Sequence, residues 1–272
     1  MMKKLVLSIA ISLSLTEECW SALNAHWKLQ DNAASTTVVA TVGSNGTLTG
    51  AGNTSASTGT PGPGTLLTRY LSFDGTDDRV VASTSNGGIV RNKAVVTLCC
   101  WFKVAAADTT GLHCLQYASV NGSGNARASI YINSTGQLIS YARAGDAESA
   151  QNKVSTNSYD DDSWHHAAVV INYASDTITI YVDGSSVAQT GTISFTAAAT
   201  SDTDSTNVIL ASSVSTERFK GKLADCRFYD SNESSNLSAI IAEKDLTGLI
   251  DPLSSSIPGN TIDPLTGTIP GL

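Results

Sequence analysis

Residues 163–184 read Ser-Trp-His-His-Ala-Ala-Val-Val-Ile-Asn-Tyr-Ala-Ser-Asp-Thr-Ile-Thr-Ile-Tyr-Val-Asp-Gly, two β-branched apolar runs around a polar break at residues 173–176. In the second run Ile178, Ile180 and Val182 fall on one face, and Thr177, Thr179 and Tyr181 on the other. That period of two is the pattern of a strand with one packed face. Asp183 and Gly184 close the run. The pair suits a turn with φ > 0, because glycine has no Cβ to clash and aspartate tolerates the left-handed region. The segment is therefore a hairpin followed by a second tight turn.

Further short strands are predicted at residues 26–29, 70–73, 79–82, 95–104, 129–132, 137–142, 192–195, 207–211 and 218–229. Residues 112–118 are the expected hairpin partner of 95–104. Short strands at regular spacing, separated by Gly, Ser, Thr and Asp turns, indicate an antiparallel sandwich. One helix is predicted over residues 234–244, where Leu237, Ile240, Ile241 and Lys244 share a face and Ser234 or Ser235 can cap the start. Only 15% of residues are charged and the net charge is -8. An acidic surface is repelled by nucleic acid and by anionic lipid, which excludes both as partners.

Five stretches, in order, carry a resemblance to a known family: His26-Trp27-Lys28-Leu29, Gly43-Ser44-Asn45-Gly46-Thr47-Leu48, Leu71-Ser72-Phe73-Asp74-Gly75, the strand ending at Trp101, and Gly221 to Tyr229. With the Trp164-His165-His166 hairpin they resemble the laminin-G-like family of the concanavalin A-like lectin/glucanase jelly rolls, over roughly residues 25–246. The resemblance implies an all-β, two-sheet antiparallel jelly-roll sandwich with one short C-terminal helix. Function does not follow from it, since one fold hosts many activities.

The two ends of the chain are unusual. Lys3 and Lys4 precede an apolar stretch at residues 5–15, with Ala22 or Ala25 where a secretory signal peptide would be cleaved. The same stretch alternates with period two, so it also reads as an added edge strand, and Glu17, Glu18 and Trp20 suit a cleavage site poorly. It is too short to span a bilayer. At the other end, residues 261–272 repeat 249–260 as Ile-Asp-Pro-Leu-(Ser/Thr)-x-(Ser/Thr)-Ile-Pro-Gly, with a period of 12. The prolines exclude a helix and remove ladder donors. The arm is either a flexible linker or an extended segment that docks on this or another subunit. The organisation is thus a signal peptide or edge strand at 1–22, a jelly-roll domain at 23–246 and an arm at 247–272.

Cysteines stand at 19, 99, 100, 114 and 226. Signal cleavage would leave four, an even number that permits disulfides in an oxidising compartment. Cys99 and Cys100 point to opposite faces of a strand, and Cys114 on the expected next strand is near enough to bridge one of them. The other reading is that all are small, buried and reduced.

Candidate chemistry is sparse. Retaining glycoside hydrolysis needs two carboxylates about 5 Å apart. No strand carries an alternating acidic run; Asp74/Asp77/Asp78, Asp160/Asp161/Asp162 and Asp202/Asp204 all fall in turns and read as solvated caps. The chain is therefore expected not to be an enzyme. His165 and His166 are adjacent and face opposite ways, so they cannot chelate one ion together. Calcium is the credible cofactor, since hard oxygen donors of Asp and Asn in Gly-rich loops suit it. The resemblance points to Asn45 and Asp225, with Asp31 as a substitute for the acid absent from residues 40–42. For a sugar, Tyr131 and Tyr141 with Gln137 on an open sheet face would form a stacking platform, with Arg143 beside Tyr141 on the opposite face. The alternative for the tyrosines is cross-strand packing. The expected function is a non-catalytic recognition module, secreted or displayed on an outer surface, binding a glycan or glycoprotein. The alternative is an assembly subunit of a surface layer, fibre or virion that self-associates through residues 249–272.

Overall fold

The computed structural model describes residues 23–50, 58–83, 88–119, 126–196, 200–201, 207–213 and 217–245. The expected signal peptide or edge strand, the repeat-bearing arm and the Asp202/Asp204 pair lie outside the described residues. Among the described residues the strands form two antiparallel sheets, of eight and nine strands. In chain order they are β1 (Leu23–Trp27), β2 (Thr37–Val38), β3 (Gly46–Thr49), β4 (Thr58–Gly59), β5 (Tyr70–Asp74), β6 (Arg79–Ser83), β7 (Val95–Lys103), β8 (His113–Ser119) and β9 (Ala128–Ile132). There follow β10 (Gln137–Ala142), β11 (Gln151–Ser158), β12 (His165–Asn172), β13 (Thr177–Val182), β14 (Ser185–Ser186), β15 (Gln189–Thr190), β16 (Asn207–Leu210), β17 (Lys220–Tyr229) and the helix α1 (Leu237–Ala242).

The eight-stranded sheet runs β14-β13-β12-β7-β17-β5-β4, with β1 also paired to β17. The nine-stranded sheet runs β15-β11-β10-β9-β8-β16-β6-β3-β2. Alternation along each strand decides which side chains meet between the sheets. Leu98, Cys100 and Phe102 of β7, Val169 and Ile171 of β12, and Ile178 and Ile180 of β13 face Leu115 of β8, Ile130 and Ile132 of β9, and Leu138 of β10 in one buried cluster. Burying a side chain of this size contributes about 1.5–3 kcal/mol relative to exposure, so this interlayer is the main stabilising element.

The hairpin stands as expected. β12 and β13 pair through Val169↔Ile180 and Ile171↔Ile178. Asp183 and Gly184 both take positive φ, 50° and 84°. Four expectations are corrected. β8 does not pair with β7; the chain crosses to the other sheet through residues 104–112, and β8 pairs with β9 and β16. A strand was expected at residues 192–195, but this stretch is irregular, although Ile193 and Phe195 are buried. β11 was not expected, because its residues are mostly polar and it joins β10 through the backbone ladder. The helix is shorter than expected, and Asn236 rather than Ser234 or Ser235 precedes it, without a side-chain cap.

Candidate functional site

Alternation also sends side chains outward from the nine-stranded sheet. Cys114 and Tyr117 of β8, Tyr131 of β9, Ile139 of β10 and Ile209 of β16 form a second buried cluster there, with Tyr141 packed against it. The rings interlock edge to face: Tyr117 and Tyr131 are 6.3 Å apart at 89°, and Tyr131 and Tyr141 are 5.4 Å apart at 85°. Burial raises the phenol pKa of all three, and the Glu217 charge raises them further. All three are therefore neutral hydroxyls at pH 7. The Cys114 thiol and Tyr131 hydroxyl are hydrogen-bonded to each other.

One end of this face is basic. Arg127 and Arg143 are 5% and 3% exposed, although arginine is seldom buried without a partner. Arg127 Nη2 lies 3.0 Å from Asp146 Oδ1, and Arg143 Nη1 donates to the Asp146 carbonyl at 3.2 Å. Burial, then the neighbouring Arg127 charge, hold the Arg143 pKa below the ordinary value. Three buried polar atoms near this end have no hydrogen-bond partner: Tyr117 Oη, Ser119 Oγ and Arg143 Nε. Native proteins leave few such orphans, and an ordered water, an ion or a bound group commonly supplies the missing partner.

The residues expected to bind sugar are partly redistributed. Tyr131 is 4% exposed and presents no ring face to a ligand; it is the packed centre of the tyrosine row. Gln137 is at the far end of β10, engaged with Asn133 and Thr135 in the turn. Tyr141 is half-buried, at the margin of the cluster. Arg143 is corrected in orientation: it lies two residues from Tyr141, shares its face, and interacts with Tyr117. Arg127, Ser119 and Glu217 were not anticipated. Arg127 and Ser119 follow from strand parity once β8 and β9 are paired, whereas Glu217 arrives from a distant loop and leaves no local signal.

The expected calcium set does not assemble. Asn45 Oδ1 accepts from Ala40 N at 2.9 Å and Asp31 Oδ2 from Val39 N at 3.0 Å, so both brace one backbone segment. Asp225 is fully buried, 2.6 Å from His26 Nε2 and 2.8 Å from Arg227 Nη2. Arg227 is also 2.6 Å from Glu243 beside α1. The Asp225 carboxylate is already engaged by His26 and the Arg227 guanidinium in a fully buried position, so Asp225 does not fit as a calcium ligand. The nearby cleft of about 180 Å³, lined by Asn24, Trp27, Gly43, Ser44, Ser83 and Lys93, presents an ammonium group rather than an acid. The acids that do converge are Asp74, Asp77 and Asp78, with ligand atoms within 4.8 Å of one another. They act as turn caps: Asp74 Oδ1 accepts from Thr76 N at 2.7 Å and Asp78 Oδ2 from Asp74 N at 3.0 Å.

Of the two readings of the cysteines, small buried thiols is the one that fits, and a bridge from Cys114 does not. Cys114 faces outward from the nine-stranded sheet, Cys99 faces outward from the eight-stranded sheet, and Cys100 lies between the sheets. All four described cysteines are buried free thiols.

The histidines face opposite ways, as strand geometry requires. His166 is fully buried against Trp101 at 5.2 Å, and burial pushes its pKa down to about 4. His165 sits 2.8 Å from Asp183 Oδ2 and 3.2 Å from Asp161 Oδ1. The hydrogen bond to Asp183 raises its pKa. A histidine with a raised folded pKa contributes stability that is present below the unfolded value of about 6.5 and is lost as pH rises through the folded value. His165→Asn is therefore expected to lower Tm at pH 5.5 and to differ little from wild type at pH 8.5. An equal loss at both pH values would refute the charge contribution.

Two antiparallel sheets packed face to face around one buried interlayer define a concanavalin-like jelly-roll sandwich. The chain belongs to the concanavalin A-like lectin/glucanases superfamily, whose laminin G-type family model matches residues 74–236, more than half of the chain. No curated protein sequence matches it. Among solved structures, Trypanosoma rangeli sialidase is similar at a TM-score of 0.56 and 14% identity, over 82% of this chain and 33% of that one. The receptor binding domain of botulinum neurotoxin mosaic serotype C/D is similar at 0.57 and 10%, over 82% of this chain and 51% of that one. The binding domain of botulinum neurotoxin serotype D is similar at 0.56 and 10%, over 82% and 52%. The chain thus spans a third to a half of these neighbours, and at such identities the likeness is one of fold.

Proposed function

We propose that the protein is a non-catalytic glycan-recognition module acting outside the cell, and that it favours sugars bearing an acidic substituent. The observation that carries this reading is the Arg127/Arg143 pair beside Tyr117. Asp146 is the pair's acidic partner, and its side chain is 55% exposed. An exposed acid holding a buried arginine can be displaced by the carboxylate or sulfate of a ligand, which takes its place at the edge of the Arg127 guanidinium. Planar guanidinium groups suit bidentate oxyanions, and the half-buried Tyr141 ring offers a sugar an apolar edge. One neighbour, the T. rangeli sialidase, is described in complex with sialic acid, an acidic sugar, which supports the choice of class. Laminin-G-like domains are typically extracellular, and no helix among the described residues is long and apolar enough to cross a membrane.

The lack of catalysis is inferred from commitment of the acids around this face. Asp146 holds Arg127, Glu148 accepts from Ala144 N, Gly145 N and Gln151, and Glu217 accepts from Ser213. None is left as a paired general acid and base. A glycan array screened with and without calcium tests the reading. Acidic glycans are expected to bind and Arg143→Ala to weaken them about tenfold or more, the scale of one charge-assisted hydrogen bond. Binding to neutral glycans alone, or an unaffected Arg143→Ala variant, would overturn the acidic preference; silence across the array would count against glycan recognition altogether.

A further inference from the structure

The period-12 arm is left unused by glycan recognition, and the described chain ends at a surface suited to receive it. On the outward side of the eight-stranded sheet, Leu67, Trp101 and Ala224 form a small buried cluster with Tyr70, Trp164 and Ile241 packed around it. Tyr70 and Trp164 are half-buried, with ring centroids 5.8 Å apart. Leu66, beside them in the chain, is 50% exposed, one of two exposed large apolar residues among the described ones. Lys222 Nζ stands 5.0 Å over the Tyr70 ring and Lys244 Nζ 5.8 Å over Trp101. The buried Trp101 Nε1–H has no acceptor among the described residues.

The last described residues are tied to this surface. Leu66 N and Leu67 N donate to the Lys244 carbonyl at 2.7 and 3.2 Å, and Thr65 N donates to Asp245 Oδ1 at 2.8 Å. The approach is tight at Gly64, where a Cβ would stand 2.4 Å from the Lys244 oxygen. Asp245, the last described residue, therefore stands at the rim of the aromatic patch.

The composition of the arm matches the patch. Residues 246–272 contain Asp251 and Asp263 and no lysine, arginine or histidine, and they carry prolines at 252, 258, 264 and 270. Proline-rich extended segments dock on aromatic-lined surfaces because their backbone is already ordered and their carbonyls point outward. Indole N–H groups are natural donors to those carbonyls. From Asp245, six residues reach at most about 20 Å, enough to bring Asp251 and Pro252 across one small patch. The tether keeps the first repeat at an effective concentration on the order of millimolar, so modest contacts suffice to hold it.

We propose that residues 249–260 of the same chain dock on the Leu66–Tyr70–Trp164 surface, with Pro252 and Leu253 on the rings and Asp251 paired to Lys222. Truncation after Thr247 keeps every residue of the buried clusters found among the described residues. A chain ending at Thr247 is therefore expected to fold. Its tryptophan emission should shift red and become more open to acrylamide quenching than that of the full chain, and a synthetic 249–260 peptide at millimolar concentration should reverse the change. Leu253→Asp in the full chain should mimic truncation while leaving Tm unchanged. In a Trp164→Phe background, truncation should produce little further change. Equal quenching of full and truncated chains would overturn the proposal, as would a peptide without effect. Light scattering separates the occupants: full and truncated chains should both be monomers, and a mass that halves on truncation would assign the surface to the arm of a second copy.

Discussion

Replacing Arg227 with methionine is expected to destabilise the fold by about 3–5 kcal/mol, the cost of stripping a buried carboxylate of its main cationic partner. For a domain of this size that lowers Tm by on the order of 10 °C. Arg227 is 1% exposed and links Asp225 to Glu243, and its Nη1 also donates to the Tyr229 hydroxyl at 3.2 Å. The network arises where β17 slips register against β7 between Ala224 and Arg227, with Asp225 at φ 53°. Removing both charges, in Asp225→Asn/Arg227→Met, should cost less than the sum of the single changes, because no charge is left unpaired at the fully buried position 225, and Glu243 is the more exposed of the two acids. Burial alone raises the Asp225 pKa, but the His26 hydrogen bond and the Arg227 charge outweigh it and hold the group below the ordinary carboxylate value. The sign follows: this stabilisation is complete above the unfolded pKa of about 3.9 and disappears as pH falls through the folded value. Acid unfolding should be correspondingly shallower in Asp225→Asn. Thermal melts between pH 7 and pH 3 check both statements, and an Arg227→Met variant that melts with wild type would discard them.

Trp27→Ala carries an effect of similar size. The ring is 1% exposed, sits edge-on to Phe228 at 6.4 Å and donates its indole N–H to the Ser44 carbonyl at 3.1 Å. Removing a buried tryptophan ring costs about 3–5 kcal/mol, combining lost transfer energy with a cavity. The substitution also frees the loop before β3, where Gly46 is packed so closely that a Cβ would stand 2.4 Å from Val80 Cγ1. Trp27→Phe keeps most of the packing and loses the hydrogen bond, so it should cost about 1 kcal/mol. Urea unfolding with an unchanged m-value separates the two terms; equal losses for phenylalanine and alanine would show that the hydrogen bond, not the ring, dominates.

Much of the sandwich is legible residue by residue. Ile178, Ile180 and Val182 alternate and are buried together, and the Asp183-Gly184 turn takes the backbone that its residue types predict. β11 is not legible, because Gln151–Ser158 lacks an apolar period and is held by its neighbours' backbone groups. The candidate site divides the same way. Tyr141 and Arg143, two residues apart, share a face by parity, against the opposite placement expected for Arg143, and Tyr131 joins them only through the Ile139↔Tyr131 register of β9 and β10. Whether that face is open depends on what packs over it, and Tyr131 turns out to be sealed.

Local order along this chain therefore determined the strands, their inward faces and the two-layer architecture, since side-chain alternation is a property of the extended backbone itself. Which strands are neighbours, where β8 crosses between layers, and how His26, Asp225, Arg227 and Glu243 meet were decided only by the folded chain. Those pairings join residues as far as 199 positions apart, His26 to Asp225, and no local period encodes contacts made across such a separation.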